Sequence, residues 1–88
     1  MSGATVTLLY FARLRESLGL AREELALPAG VDTLQALRVH LAARGGAWAE
    51  AMAPARKLRA AVNQTLALDD TALKAGDEVA FFPPVTGG

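Results

Sequence analysis

Gly76-Asp77-Glu78-Val79-Ala80-Phe81-Phe82-Pro83-Pro84-Val85-Thr86-Gly87-Gly88 holds two opposed instructions in one stretch. Glu78 to Phe82 is the most apolar strand-like run of the chain, and a strand of that kind belongs near the centre of a sheet. Pro83-Pro84 then ends any ladder, because proline has no N–H to donate, and favours extended chain that lifts away from the sheet. The residues after the prolines are slim. Gly87 and Gly88 carry no side chains, so the expectation is a flexible Gly-Gly tail whose last group is a carboxylate. This divides the chain into a folded unit over residues 1–82 and an extended tail over 83–88. Such a tail can thread a narrow channel in another protein and present its carboxyl carbon for chemistry; a frayed terminus is the competing reading.

Upstream of that strand, Asp69-Asp70 and Lys74-Ala75-Gly76-Asp77 are turn chemistry. Leu58 to Val62 reads as a strand closed by Asn63-Gln64, with Thr65-Leu66-Ala67 as a short return strand. At the other end, Thr5 to Phe11 is rich in β-branched and aromatic residues. Val6, Leu8 and Tyr10 share one face, expected in the core, while Thr5, Thr7, Leu9 and Phe11 share the other. Ala12 to Leu18 favours a short helix ended by Gly19. Arg22 to Leu27 alternates as a second strand with Leu25 and Leu27 inward. Asp32 and Gln35 have the spacing of a capping box at the start of the main helix. Leu34, Leu37 and Leu41 recur along its buried stripe until Gly45-Gly46, and Trp48 to Met52 adds a further helical turn or two before Pro54. The order strand, short helix, strand, helix, strand, strand predicts an α+β fold: a mixed sheet with one main helix on one face.

Composition excludes several functions. Eighty-eight residues, 52% hydrophobic and 20% charged, make one folded domain. Nine basic residues balance nine acidic ones, so no surplus of positive charge points to nucleic acid or anionic lipid. No apolar run approaches the ~20 residues of a membrane span. The first residues lack the charged start and apolar core of a secretion signal, so a cytoplasmic location is expected. There is no cysteine, which removes disulfides, thiol catalysis and most metal–thiolate sites. His40 is the only histidine, and no nucleophile–base set can be completed around it. No metal site is expected. Chemistry carried out with this chain would use machinery supplied by a partner.

Three blocks carry a family resemblance: Leu9-Tyr10-Phe11-Ala12-Arg13-Leu14-Arg15-Glu16, Ala61-Val62-Asn63-Gln64, and Gly76 through Gly88. Together they closely resemble the small, sulfur-carrying subunits of molybdopterin synthase. The resemblance implies the ubiquitin-like β-grasp fold, in which the first and last strands are parallel neighbours. It also implies a carrier role. An adenylyltransferase of the ubiquitin-activating type would use ATP to adenylate Gly88, and a sulfur donor protein would convert it to a thiocarboxylate. The tail, through Pro84, Val85, Thr86 and Gly87, would then enter the large subunit of the synthase and deliver sulfur to cyclic pyranopterin monophosphate.

On this reading Gly88 is a covalent attachment site, and the chain is the non-catalytic small subunit of a heterotetrameric sulfurtransferase. The chain itself would bind no cofactor. The resemblance further implies that Phe11, Leu66 and Phe82 form an apolar docking patch for the large subunit, with Arg15 at its rim. Ordinary core packing is the alternative for these three apolar residues. Other carriers remain open: a thiamine-type sulfur carrier, a ubiquitin-like protein modifier, or a plain interaction module.

Overall fold

Strict alternation along β1 (Thr5–Tyr10) builds one wall of the core: Val6, Leu8 and Tyr10 are buried, and the residues between them are not. A computed structural model of the chain describes residues 4–53 and 57–83. The order continues with α1 (Arg13–Leu18), β2 (Arg22–Ala26), α2 (Leu34–Ala42), α3 (Gly46–Ala51), β3 (Arg59–Val62), β4 (Thr65–Leu66) and β5 (Glu78–Phe82). The strands form one sheet in the order β2-β1-β5-β3-β4. β1 and β5 run parallel, with Leu9 beside Ala80 and Tyr10 beside Phe81. The other neighbours are antiparallel. The most apolar strand is therefore central, as its composition predicts, and the sheet has the mixed β-grasp arrangement.

α2 closes the core with Leu34, Leu37 and Leu41, which lie three and four residues apart and are all buried. They join Val6, Leu8, Tyr10, Val79 and Phe81 in a single apolar cluster. Each fully buried side chain of this kind contributes roughly 1.5–3 kcal/mol. The cap of α2 differs from the sequence expectation. Thr33, not Asp32, is the N-cap, its Oγ1 accepting from the Ala36 N–H at 3.2 Å. Asp32 uses its backbone carbonyl instead to accept from Leu73 N–H at 2.9 Å. The carbonyls of Thr71 and Asp69 accept from the next two helix N–H groups, Leu34 and Gln35. A long-range loop thus satisfies donors that a local capping box would have served.

Gly45-Gly46 also plays a different part from a simple stop. α2 already ends at Ala42, Gly45 is the N-cap of α3 with φ 80°, and Gly46 is the first residue of α3. Gly19 ends α1 in the left-handed conformation, φ 70°, where an L side chain would be strained.

A polar cluster ties the first half of the chain together. Tyr10 is 1% exposed and stacks 6.0 Å from Phe81 and edge-on to Trp48 at 5.4 Å. Its hydroxyl donates to Glu23 Oε2 at 2.9 Å. Arg44 donates to both oxygens of Glu23, at 2.9 and 3.0 Å, and its guanidinium lies 4.4 Å over the Trp48 ring. Glu23 occupies the inward phase of β2, so a charged group is held at the core margin by two donors. Burial pulls its carboxyl upward, but the Arg44 and Tyr10 hydrogen bonds outweigh that and hold it below the usual range. Burial first, and then the bond to Glu23, push the Tyr10 hydroxyl far above its ordinary value.

Candidate functional site

The β3–β4 hairpin and the end of β5 position the candidate surface. Asn63 and Gln64 form the two-residue turn of the hairpin with φ 52° and 71°, the pattern of a type I′ turn. Asn63 fixes that turn to β5. Its backbone N–H donates to the Glu78 carbonyl, its Oδ1 accepts from Glu78 N–H, and its Nδ2 donates to Asp77 Oδ1. Asp77 is 3% exposed, and its other oxygen accepts from the Lys74 N–H at 2.9 Å. Burial alone would raise the Asp77 carboxyl. The bonds from Asn63 and Lys74, with the Lys74 charge, instead hold it below the usual carboxylate range.

With the register fixed, one side of the sheet faces the helices and the other, among the described residues, has no helix on it. On that outer side, polar residues occupy one end: Thr7 beside Glu78, with Asn63 at the turn. Apolar residues dominate the opposite end, with Arg22 beside Leu9 at the β2 edge. Leu9, Ala80, Ala61 and Leu66 succeed one another across four strands in a single row. Leu66 is 63% exposed. The next row is made by Phe82, paired with Arg59, and by Phe11, whose N–H donates to the Phe81 carbonyl at 3.2 Å.

Phe11 and Leu66 are exposed residues, not core, and Phe82 is half-buried on the opposite face of β5 from the fully buried Phe81. Arg15 is exposed on α1, directly after the turn that succeeds Phe11. The parallel pairing of β1 and β5 brings Phe11 and Phe82 to one end of the sheet, the end from which Pro83 departs. Pro84, Val85, Thr86, Gly87 and Gly88, the tail and attachment residues of the sequence reading, lie outside the described residues. Among the described residues, no cluster of His, Asp or Glu side chains could hold a metal ion, and no helix is long and apolar enough to cross a membrane.

The ThiS family profile matches residues 8–88, nearly the whole chain. The chain belongs to the ThiS family. It is 52% identical over 83 residues to the molybdopterin synthase sulfur carrier subunit of Escherichia coli (strain K12), an alignment covering 94% of this chain and 99% of that protein. Its fold is similar to the putative molybdopterin converting factor subunit 1 of Pyrococcus furiosus, with a TM-score of 0.77 and 30% identity over 94% of this chain and 100% of the other. It is also similar to SAMP1 of Haloferax volcanii, with a TM-score of 0.75 and 25% identity over 97% of this chain and 100% of the other. A further neighbour was solved as a complex of subunits 1 and 2 of the molybdopterin-converting factor from Helicobacter pylori. That match has a TM-score of 0.65 and 25% identity over 96% of this ThiS-family chain and 99% of the other. These likenesses agree with the ubiquitin-like, α+β reading of the sequence.

Sequence reasoning does not reach two features of the site. Arg59 reads only as a strand residue, yet it stands beside Phe82 on the outer face. Ala12, between Phe11 and α1, takes φ 54° and ψ −130°, and nothing local in the sequence announces it. A signal for Arg59 exists in the alternation of β3, where a charged residue precedes the inward Ala60.

Proposed function

We propose that this chain is the sulfur carrier of a molybdopterin synthase, working through a covalent change at Gly88. The observation that carries the reading is the apolar end of the uncovered sheet face, with Phe11 47% and Leu66 63% exposed at the end where β5 hands over to Pro83. A surface of that kind, next to a departing segment, suits a partner that grips the domain and takes in the departing chain. The likeness to named sulfur carrier subunits, and to a subunit 1 solved with its subunit 2, supports the large subunit as that partner.

The proposed cycle uses the tail as a handle. A carboxylate oxygen of Gly88 attacks the α-phosphorus of ATP on an activating enzyme, and pyrophosphate leaves. Sulfide-level sulfur (HS−) released by the donor then attacks the acyl carbon, AMP departs with one carboxylate oxygen, and loss of a proton leaves a thiocarboxylate. In the large subunit the sulfur bonds to a side-chain carbon of the cyclic pyranopterin monophosphate as a carbon–oxygen bond there breaks, and water cleaves the acyl–sulfur bond to restore the Gly88 carboxylate. Two such rounds supply the two sulfurs of the dithiolene. The chain contributes binding and delivery. Pro83 and Pro84 limit the freedom of the tail, and Gly87 and Gly88 leave the acyl carbon unshielded. With no cysteine in the chain, no side-chain thiol competes for the activated acyl group.

The test is the intact mass of the chain after incubation with ATP, its activating enzyme and a sulfur donor. Exchange of one oxygen for sulfur at Gly88 is the expected result. An unchanged mass with a demonstrably active enzyme would overturn the carrier reading, and attachment of Gly88 to lysines of other proteins would move the chain to the protein modifiers.

A further inference from the structure

Among the described residues, two charged side chains stand at the apolar end of the outer sheet face: Arg22, beside Leu9 at the β2 edge and 3.8 Å from Glu24, and, between β5 and β4, Arg59. Arg59 is paired in register with Phe82 across β3 and β5. On its other side the β3–β4 pairing continues one residue past Leu66, through the bond from Ala67 N–H to the Ala60 carbonyl at 2.9 Å. That register brings Leu68, 75% exposed, alongside Arg59. Arg59, Leu66 and Leu68 border one groove at this edge of the sheet, which Arg38, Lys57, Asp69 and Asp70 also line, without an ion pair to Arg59 among the described residues. Arg59 is exposed and takes part in none of the ion pairs or side-chain hydrogen bonds among the described residues. In the free chain water serves its donors. A partner that covers Phe82, Leu66 and Leu68 together removes that water, and a guanidinium desolvated without a counter-charge is strongly unfavourable.

We infer that Arg59 is a specificity determinant of the docking face, and that the partner surface fitted to it presents a carboxylate framed by apolar side chains. This rests on the reading that the face docks on the synthase large subunit, which is the occupant proposed. Five donors in a planar fork suit a carboxylate held in both oxygens, and the surrounding apolar contacts exclude water from the pair. The apolar residues supply most of the contact area. The guanidinium selects among apolar surfaces those with an acid at the matching point, and rejects those with a base there.

The experiment is calorimetric titration of the large subunit from the same source with the wild-type chain, Arg59→Lys, Arg59→Leu and Arg59→Glu, at low and at high salt. Thermal melts of each variant check the fold. Arg59→Leu is expected to weaken binding about 30-fold or more, because it strands the partner carboxylate. Arg59→Glu should weaken it further, Arg59→Lys should recover part of the affinity, and added salt should weaken the wild type more than Arg59→Leu. Equal or tighter binding by Arg59→Leu, or an Arg59→Glu affinity within a few-fold of wild type, would overturn the inference. Arg59 would then lie at the wet rim with its stem on the sheet. If the wild-type chain itself does not bind the large subunit, the functional reading fails and takes this inference with it.

Discussion

Ala12 stands at a position that usually belongs to glycine. Its φ of 54° and ψ of −130°, with the bond from Leu14 N–H to the Phe11 carbonyl at 3.1 Å, describe a tight reversal between β1 and α1. A non-glycine residue held there stores about 1–3 kcal/mol. Ala12→Gly should release that strain at an entropic cost of roughly 0.5–1 kcal/mol. A net gain near 1 kcal/mol would raise Tm by about 4–8 °C in a domain of this size. Calorimetric melting checks this, and an unchanged or lower Tm would mean that the reversal is not strained. Phe82 and Phe81 make a second test from adjacent residues. Phe81→Ala empties the core and should cost about 3–5 kcal/mol of stability. Phe82→Ala should leave the melt far less changed and weaken large-subunit binding by ~2–4 kcal/mol. A large loss of stability with unchanged affinity would return Phe82 to a purely structural role.

At the level of elements, the pattern of apolar residues is legible in the sequence because it is local. Val6, Leu8 and Tyr10 alternate, Leu34, Leu37 and Leu41 keep to the helical repeat, and each set lies in the core. The cap of α2 is less legible because its donors are served by carbonyls of Asp69 and Thr71, more than thirty residues away. The cluster of Tyr10, Glu23, Arg44 and Trp48 is hidden for the same reason, since its members come from β1, β2, the turn after α2 and α3. Only Glu23, charged yet in phase with Leu25 and Leu27, hints that a partner must exist. Of the residues proposed for docking, Phe11 and Leu66 owe their exposure to which side of the sheet the helices take, and single-strand periodicity does not fix that choice.

Glu23 and Asp77 are expected to contribute to the acid limb of stability. The Glu23 and Asp77 carboxyls lie below their ordinary values in the folded chain. The unfolded chain therefore takes up these protons first as pH falls. Their contribution is complete above about pH 5 and is lost as pH drops through the folded values. Denaturant titrations between about pH 6 and 3 should show stability falling in acid, with a shallower fall in Glu23→Gln and in Asp77→Asn. An identical slope in both variants would mean that these two groups do not set the limb.

Across the whole molecule, the fold and the proposed chemistry separate cleanly, because the core ends at β5 and the reactive group is placed at Gly88. Deleting Gly88 should abolish sulfur transfer while Tm stays within about 2 °C, a change of no more than a few tenths of a kcal/mol. Adding one residue after Gly88 should do the same. Paired melts and transfer assays on the two variants check this. Transfer that survives the deletion would exclude a terminal acyl mechanism, and tolerance of the extension would favour a passive interaction module.

The placement of β5 between a parallel and an antiparallel neighbour has a mechanical consequence. Consider a pull on Phe82 directed along the axis of β5. The rungs to β1 and to β3 then share the load side by side in shear, where a strand at the sheet edge would unzip one rung at a time. A load along the axis of β5 is therefore resisted by two neighbouring strands together, and under the proposed function that lets the folded body withstand a pull on its tail.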